Sequence, residues 1–131
     1  MAGATPQFIW DHVHIRTPDP EGTAKWFAET LGAEIVRTPV RLDVKLGSAN
    51  IFLAPVTAGD GVNPSPSTPY QGFDHFGLSV KDIDDVAADL KAKGVQFTKE
   101  PHTIRPGVRI CFIRGPQGIS IELLERDPKY K

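Results

Sequence analysis

The sequence predicts an α+β fold made of two tandem modules, each with the order strand, helix, strand, strand, strand. Three observations support this prediction: a sequence motif that occurs twice, a helix pattern after each copy, and a loop-rich segment between them. The motif reads FIWDHVHIRTPDP at residues 8–20 and GFDHFGLSVKDID at residues 72–84. Asp11 and Asp74, which occupy the same place in the two copies, are 63 residues apart. A duplicated unit explains this spacing better than two unrelated folds do.

The helix stops repeat the same interval. Gly32 and Gly94, which end the two predicted helices, are 62 residues apart. A single module of this kind leaves one face of its sheet uncovered, so it needs a second module to pack against. We therefore predict a single domain in which facing sheets form an open, barrel-like cleft. Module one covers 7–55, a linker covers 56–72, and module two covers 73–127.

Module one opens with a strand at 8–17, because this stretch is rich in β-branched and aromatic residues. A helix follows at 19–32, with Asp19 as N-cap and Pro20 at the first helical position. Apolar residues recur at helical spacing on one face of that helix. The remaining strands are predicted at 33–38 and in a hairpin at 41–55 that turns at Gly47-Ser48.

Module two repeats this order of strands and helix after a linker rich in proline and glycine. Its helix is predicted to begin at Asp82 as N-cap and to stop at Gly94. The segment 98–107 contains two prolines and is predicted to be a loop. Strands are predicted at 73–80, 95–98, 108–114 and 118–125.

Composition excludes several classes of protein. The net charge is −1, and no Lys/Arg run suggests nucleic acid. The single cysteine, Cys111, excludes an intrachain disulfide and fits a reducing compartment. The N-terminal residues lack the pattern of a signal peptide, and no apolar run approaches the length of a membrane span. We expect a cytoplasmic protein that binds neither nucleic acid nor membrane.

The histidines of the repeated motif share one face of the predicted strand with other polar residues. Side chains alternate along a strand, so His12, His14 and Arg16 point one way and their apolar neighbours the other. In the second copy His75 takes the place of His12, and Gly77 takes the place of His14. These histidine-bearing faces are expected to face something other than the core. A pair of core histidines bonded to backbone is the plain alternative.

A carboxylate completes the candidate site. Glu122 lies among apolar residues of the last strand, where a charge is costly unless it is paired or bound to a cation. Its counterpart in the first copy is Phe52, so the chain offers three ligands where a symmetric site would offer four. Two imidazoles and one carboxylate from His12, His75 and Glu122 suit Fe, Mn, Co, Ni or Zn. Open coordination positions fit a catalytic site.

The motifs DHVHIRTPDP…WFAETLGAE, FDHFGLSVKDID and RGPQGISIELLE, in this order, resemble the vicinal-oxygen-chelate superfamily over roughly residues 8–126. That superfamily includes glyoxalase I, methylmalonyl-CoA epimerase, fosfomycin-resistance transferases, extradiol dioxygenases and bleomycin-binding proteins. The resemblance implies the glyoxalase-like fold and the same three ligands, His12, His75 and Glu122. Glyoxalase I and the epimerase take a fourth ligand, Glu or Gln, where this chain has Phe52. In several members the ligands come from two subunits of a dimer.

The resemblance implies a divalent-metal-dependent lyase or isomerase of the glyoxalase type, moving a proton on a small oxygenated metabolite. One alternative is an Fe(II)-dependent, ring-cleaving dioxygenase, although Phe112 replaces the tyrosine expected there. Another is a non-catalytic protein that sequesters a ligand, as the bleomycin-binding members do. Some members keep the fold without the metal.

Four further residues are candidates for catalysis or binding. His14 is a candidate general acid/base, and Asp43 is an alternative base, as in epimerases. Arg16 falls where glyoxalase I holds a substrate carboxylate. His102 lies in the predicted loop, near the sequence position at which extradiol dioxygenases have a histidine. The expected partners are a small-molecule substrate and a second copy of the chain in a homodimer.

Overall fold

The computed structural model describes residues 7–127. Contacts along the chain divide it into two compact units, with the boundary between Val62 and Asn63, inside the segment predicted as the linker. Each unit has the order strand, helix, strand, strand, strand. The predicted fold class of two tandem βαβββ modules is therefore confirmed.

The first unit is a four-stranded sheet with one helix. Its sheet order is β1-β4-β3-β2, in which β1 runs parallel to β4 and the other pairs are antiparallel. The elements are β1 Val13–Thr17, α1 Pro20–Leu31, β2 Glu34–Arg37, β3 Leu42–Leu46 and β4 Ala49–Pro55.

The second unit repeats this topology. Its sheet order is β5-β8-β7-β6, again with the first strand parallel to the last. A short 3-10 turn precedes β8. The elements are β5 Phe76–Ser79, α2 Ile83–Ala92, β6 Phe97–Arg105, β7 Val108–Arg114 and β8 Ser120–Arg126.

The core of the first unit lies between α1 and one face of its sheet. The Asp19 carboxylate accepts a hydrogen bond from the Gly22 amide at 2.9 Å, which confirms the predicted N-cap. Gly32 ends the helix with a φ of 73°, a conformation that glycine adopts without steric cost. Ala24 and Phe27 on the inner face of the helix are fully buried. The buried strand residues of this core include Ile15, Val44, Ile51 and Leu53.

In the second unit, the N-terminus of α2 is capped differently from the prediction. Asp82 lies at the N-cap position, but its side chain makes no capping bond. Instead the carboxylate of Glu125 on β8 accepts hydrogen bonds from the amides of Asp82 at 2.9 Å and Ile83 at 3.1 Å. The φ of Asp82 is 54°, which differs from the extended backbone of an ordinary N-cap.

The first strand begins later than predicted. Residues 8–12 lie outside β1, and Phe8, Ile9 and Trp10 are 87%, 78% and 74% exposed. Trp10 is therefore not a core residue of the single chain. The β propensity of residues 8–12 is not enough to make them part of the strand, because the pairing of β1 with β4 starts only at Val13.

The predicted loop at 98–107 is largely a strand, because β6 extends to Arg105. Pro101 is tolerated there because β6 is an edge of its sheet, where a missing amide donor breaks no ladder bond. The register with β7 shifts between Lys99 and His102, around the proline. His102 is consequently a strand residue.

Neither helix of the described residues has the length and apolar character that a membrane crossing requires.

Candidate metal centre

The polar face of the first unit is organised as the alternation predicts. His14 and Arg16 on β1 are exposed, whereas Ile15 and Thr17 between and after them are buried. His14 pairs in register with Phe52 of the parallel neighbour β4. The polar side chains of β1 thus lie on the sheet face opposite α1.

His12 is held on two sides within this unit. Its Nδ1 lies 2.7 Å from a carboxylate oxygen of Asp11. Its ring stacks on Phe52, with centroids 3.9 Å apart and planes inclined by 21°. If Nδ1 carries the proton toward Asp11, Nε2 keeps its lone pair for a metal or a substrate proton.

Phe52 carries a second group on its other face. The guanidinium carbon of Arg41 lies 3.6 Å from the ring centroid, so Arg41 and His12 occupy opposite faces of the ring. Arg41 donates two hydrogen bonds to Asp43, from Nε at 2.6 Å and from Nη2 at 3.0 Å. This pairing raises the pKa of Arg41 above its ordinary value.

Sequence reasoning missed Arg41. The signal was available in the spacing, since Arg41 and Asp43 are two residues apart at the start of a strand and therefore share a face.

In the second unit, His75 lies between two carboxylates. Its Nδ1 is 2.7 Å from an oxygen of Asp74, and its Nε2 is 3.1 Å from Oε1 of Glu122. The hydrogen bond to Asp74 raises the pKa of His75 most, burial lowers it, and Glu122 raises it further. The side chains of His75 and Glu122 are 30% and 19% exposed, so the pair is partly shielded from water.

The His75–Glu122 pair fits a divalent metal. Nitrogen and oxygen ligands lie about 2.0–2.2 Å from such an ion, which puts two neighbouring donor atoms about 3 Å apart. The observed separation is 3.1 Å. If His75 were to hold a metal, its Nδ1 bond to Asp74 would be the outer-shell contact that fixes the imidazole in orientation and tautomer. The same Asp–His contact recurs in the first unit at Asp11 and His12.

Register confirms the correspondence of the copies and shows where they differ. Gly77 pairs with Glu122 as His14 pairs with Phe52, so Phe52 occupies the position of Glu122. Across the next strand pair, Asp43 lies opposite Phe52, whereas Phe112 lies opposite Glu122. An acid and an aromatic residue have therefore exchanged strands between the units.

The remaining candidates lie apart from these clusters. The charge of Arg16 contributes to lowering the pKa of Asp60, after the hydrogen bonds from Thr57 and Val62. His102 Nδ1 lies 2.8 Å from the backbone oxygen of Glu100. In register, His102 lies opposite Ile110, on the same face as Glu122.

Two arginines of β7 lie on opposite faces of the sheet. Arg109 donates to Asp84 of α2 at 2.8 and 3.0 Å and so belongs to the helix side. Arg114, five residues further along the strand, belongs to the other.

The structure brings together His75 and Glu122, two of the three predicted ligands. Across residues 7–127, no group of three or more His, Cys, Asp or Glu side chains is arranged to hold a metal ion. The part of His12 in a three-ligand centre stays a prediction.

Comparison with known proteins places the chain in a family. The model of the Glyoxalase/Bleomycin resistance protein/Dioxygenase superfamily matches residues 9–123. This match covers most of the chain, and the chain belongs to that superfamily.

Similar proteins include enzymes of two kinds. "Probable lactoylglutathione lyase, chloroplastic" of Arabidopsis thaliana is 32% identical over 126 residues, which cover 89% of this chain and 35% of that protein. "2-epi-5-epi-valiolone epimerase" of an Actinomyces species is 29% identical, covering 86% of this chain and 76% of the other. The chain thus spans only about a third of the length of the lyase.

A solved structure with a similar fold also has moderate sequence identity to this chain. The glyoxalase family protein from Enterococcus faecalis is 30% identical, with a TM-score of 0.66, over 87% of this chain and 94% of that one.

Proposed function

We propose that this chain is a divalent-metal-dependent lyase or isomerase of the glyoxalase type, which moves a proton on a small oxygenated metabolite. The observation that carries the proposal is the Asp74–His75–Glu122 arrangement, whose donor atoms are spaced for a shared ion. Membership of the superfamily and the names of the lyase and epimerase relatives support it.

His12, His75 and Glu122 would hold the metal. When bound, a divalent ion supplies Lewis-acid polarisation of a carbonyl oxygen and so acidifies the neighbouring C–H. Asp11 and Asp74 orient the two imidazoles through Nδ1. We carry forward a homodimer and a cytoplasmic setting as parts of the proposal. The homodimer is supported by the exposed apolar side chains of residues 8–10.

His14 is the better-placed group for moving the proton. No described residue makes a hydrogen bond to its ring, which contacts His12 and Phe52 edge-on at centroid distances of 6.1 and 6.3 Å. Asp43, the alternative base, has both oxygens bonded to Arg41, so its carboxylate already has a partner. Arg16 and His102 are proposed to bind the substrate.

Lactoylglutathione comes first among substrates to try, because the names of several relatives specify it. The chain departs from the glyoxalase I pattern at Phe52, where that enzyme has a fourth metal ligand, and this departure counts against a standard glyoxalase I. Other small oxygenated compounds are therefore tried beside lactoylglutathione.

Proton transfer is tested by following exchange of carbon-bound hydrogen with solvent deuterium by NMR. Metal-reconstituted protein is incubated with lactoylglutathione and with small α-hydroxyketones. We expect metal-dependent exchange that falls about 100-fold or more in His14→Gln and less than about tenfold in Asp43→Asn. The reverse ranking would assign the base to Asp43. An absence of metal-dependent exchange across all the compounds would contradict the proposed function.

A further inference from the structure

Asp43 is the only charged side chain in the buried set of the described residues. Its side chain is 10% exposed, whereas that of its partner Arg41 is 38% exposed. Burying a carboxylate is costly unless it is paired, and a pair of apolar residues would be at least as stable at such a position. The pair is therefore better explained by the geometry it imposes on Arg41 than by stability.

A second arginine of the same unit shows what an ordinary pair looks like. Arg37 donates to both oxygens of Glu21 at 2.6 and 2.8 Å, which is the same guanidinium–carboxylate pattern. Both of those side chains are more than 60% exposed. An exposed pair of this kind contributes little to stability. It provides a control of matched chemistry on a different part of the unit.

The guanidinium of Arg41 is fixed in two directions. Its in-plane orientation is set by the two bonds to Asp43, and its height is set by contact with the ring of Phe52 at 3.6 Å. Phe52 is supported in turn by His12 on its far face. Such restraint removes most of the conformational entropy that a free arginine loses when it binds a ligand.

The outer edge of this guanidinium has hydrogen-bonding capacity to spare. Nε and one N–H of Nη2 are used by Asp43, and no described residue accepts a bond from Nη1. The charges of Asp43 and Asp11 offset part of the charge of Arg41. A ligand would therefore be held by directed N–H bonds more than by net charge, which favours a planar carboxylate over a spherical anion.

We propose that Arg41 binds a carboxylate group of the ligand on the polar face of the first unit, and that Asp43 and Phe52 are the residues that position it. The identity of that ligand as the substrate rests on the proposed function. The binding of a carboxylate by Arg41 is a property of the first unit alone. A substrate of this chain is then an oxygenated metabolite that also carries a carboxylate.

The test uses metal-free full-length protein and malonate as the probe. Arginine Nε–Hε signals are followed by NMR while malonate replaces chloride at constant ionic strength. We expect the Arg41 signal to move and saturate, and to stay in place when the neutral compound malonamide is added. A shift that fails to saturate, or that is equal for all arginines, would overturn the proposal.

Variants assign the effect. Arg41→Gln combined with Asp43→Asn leaves no unpaired buried charge, and we expect it to bind malonate at least about tenfold more weakly. Arg37→Gln combined with Glu21→Gln is the matched control and should bind as the wild type does. Equal affinity in the Arg41/Asp43 variant would also overturn the proposal. Because neither metal nor turnover is involved, failure here and failure of the proposed enzyme are separate outcomes.

Discussion

Phe52 is the residue at which the two units diverge most in chemistry. The equivalent position of the second unit holds Glu122, whose carboxylate lies 3.1 Å from His75. At the first-unit position an aromatic ring lies against His12 instead, and Arg41 covers its other face. A carboxylate at position 52 would add negative charge beside His12. The phenylalanine instead supports Arg41, whose guanidinium is a hydrogen-bond donor. This single difference makes the polar face of the first unit suitable for an anion.

Cys111 provides a prediction about pH. The thiol is fully buried, and this desolvation raises its pKa to about 11 from an ordinary value near 9. The unfolded thiol ionises first as the pH rises, so the folded state loses stability between about pH 9 and 11. We expect the urea midpoint of the wild type to fall more steeply over that range than the midpoint of Cys111→Ala. Parallel pH profiles of the two proteins would contradict this assignment.

Residue identities predicted the second-unit pair and, in the first unit, singled out His12, Phe52 and Asp43 but missed Arg41. Glu122 stands out in sequence because a charged residue in an apolar strand needs a partner, and His75 stands out because it repeats the place of His12. Arg41 looks like an ordinary polar residue just before a strand. Only the fold shows that Asp43 is buried and that Arg41 lies over Phe52.

The helices show how much an element owes to distant residues. The Asp-Pro pair that begins α1 is local, and its cap was predictable. The cap of α2 comes from Glu125, 42 residues beyond Ile83 in the chain. No local pattern specifies such a contact, because it depends on where β8 passes the helix.

The capping role of Glu125 is testable by stability. Glu125→Ala removes the acceptor for two helix amides and is expected to lower the free energy of unfolding by about 1–2 kcal/mol. Asp82→Asn is the control, since asparagine tolerates a positive φ and the Asp82 side chain makes no cap bond. We expect it to change stability by less than about 0.5 kcal/mol. Urea unfolding measures both, and equal losses would contradict the assignment.

Strand boundaries were predicted less well than strand order. The order within each unit follows from the repeat and from the alternation of apolar residues. The late start of β1 and the extension of β6 past Pro101 depend on which neighbours are available for pairing. Propensity alone assigns Phe8–Trp10 to a strand and proline to a loop, and tertiary pairing overrides both.

At the scale of the whole molecule, duplication explains the recurrence of the Asp–His contact. Two copies of one unit bring an aspartate to Nδ1 of a histidine at equivalent places, at 2.7 Å in each. Divergence then leaves the candidate carboxylate ligand, Glu122, in the second unit only. The sequence predicts this asymmetry because the last strands of the two copies align at Phe52 and Glu122.

Native mass spectrometry of protein stripped of metal and reconstituted with Fe, Mn, Co, Ni or Zn tests the central claim most directly, and it also shows whether the chain dimerises. We predict about one divalent ion per chain in the wild type, and less than about a tenth of an ion per chain in His75→Gln and in Glu122→Gln. Glu21→Gln, a glutamate outside the site, should retain the metal. Wild-type protein that holds less than about a tenth of an ion per chain with every metal, or variants that hold as much as the wild type, would contradict it.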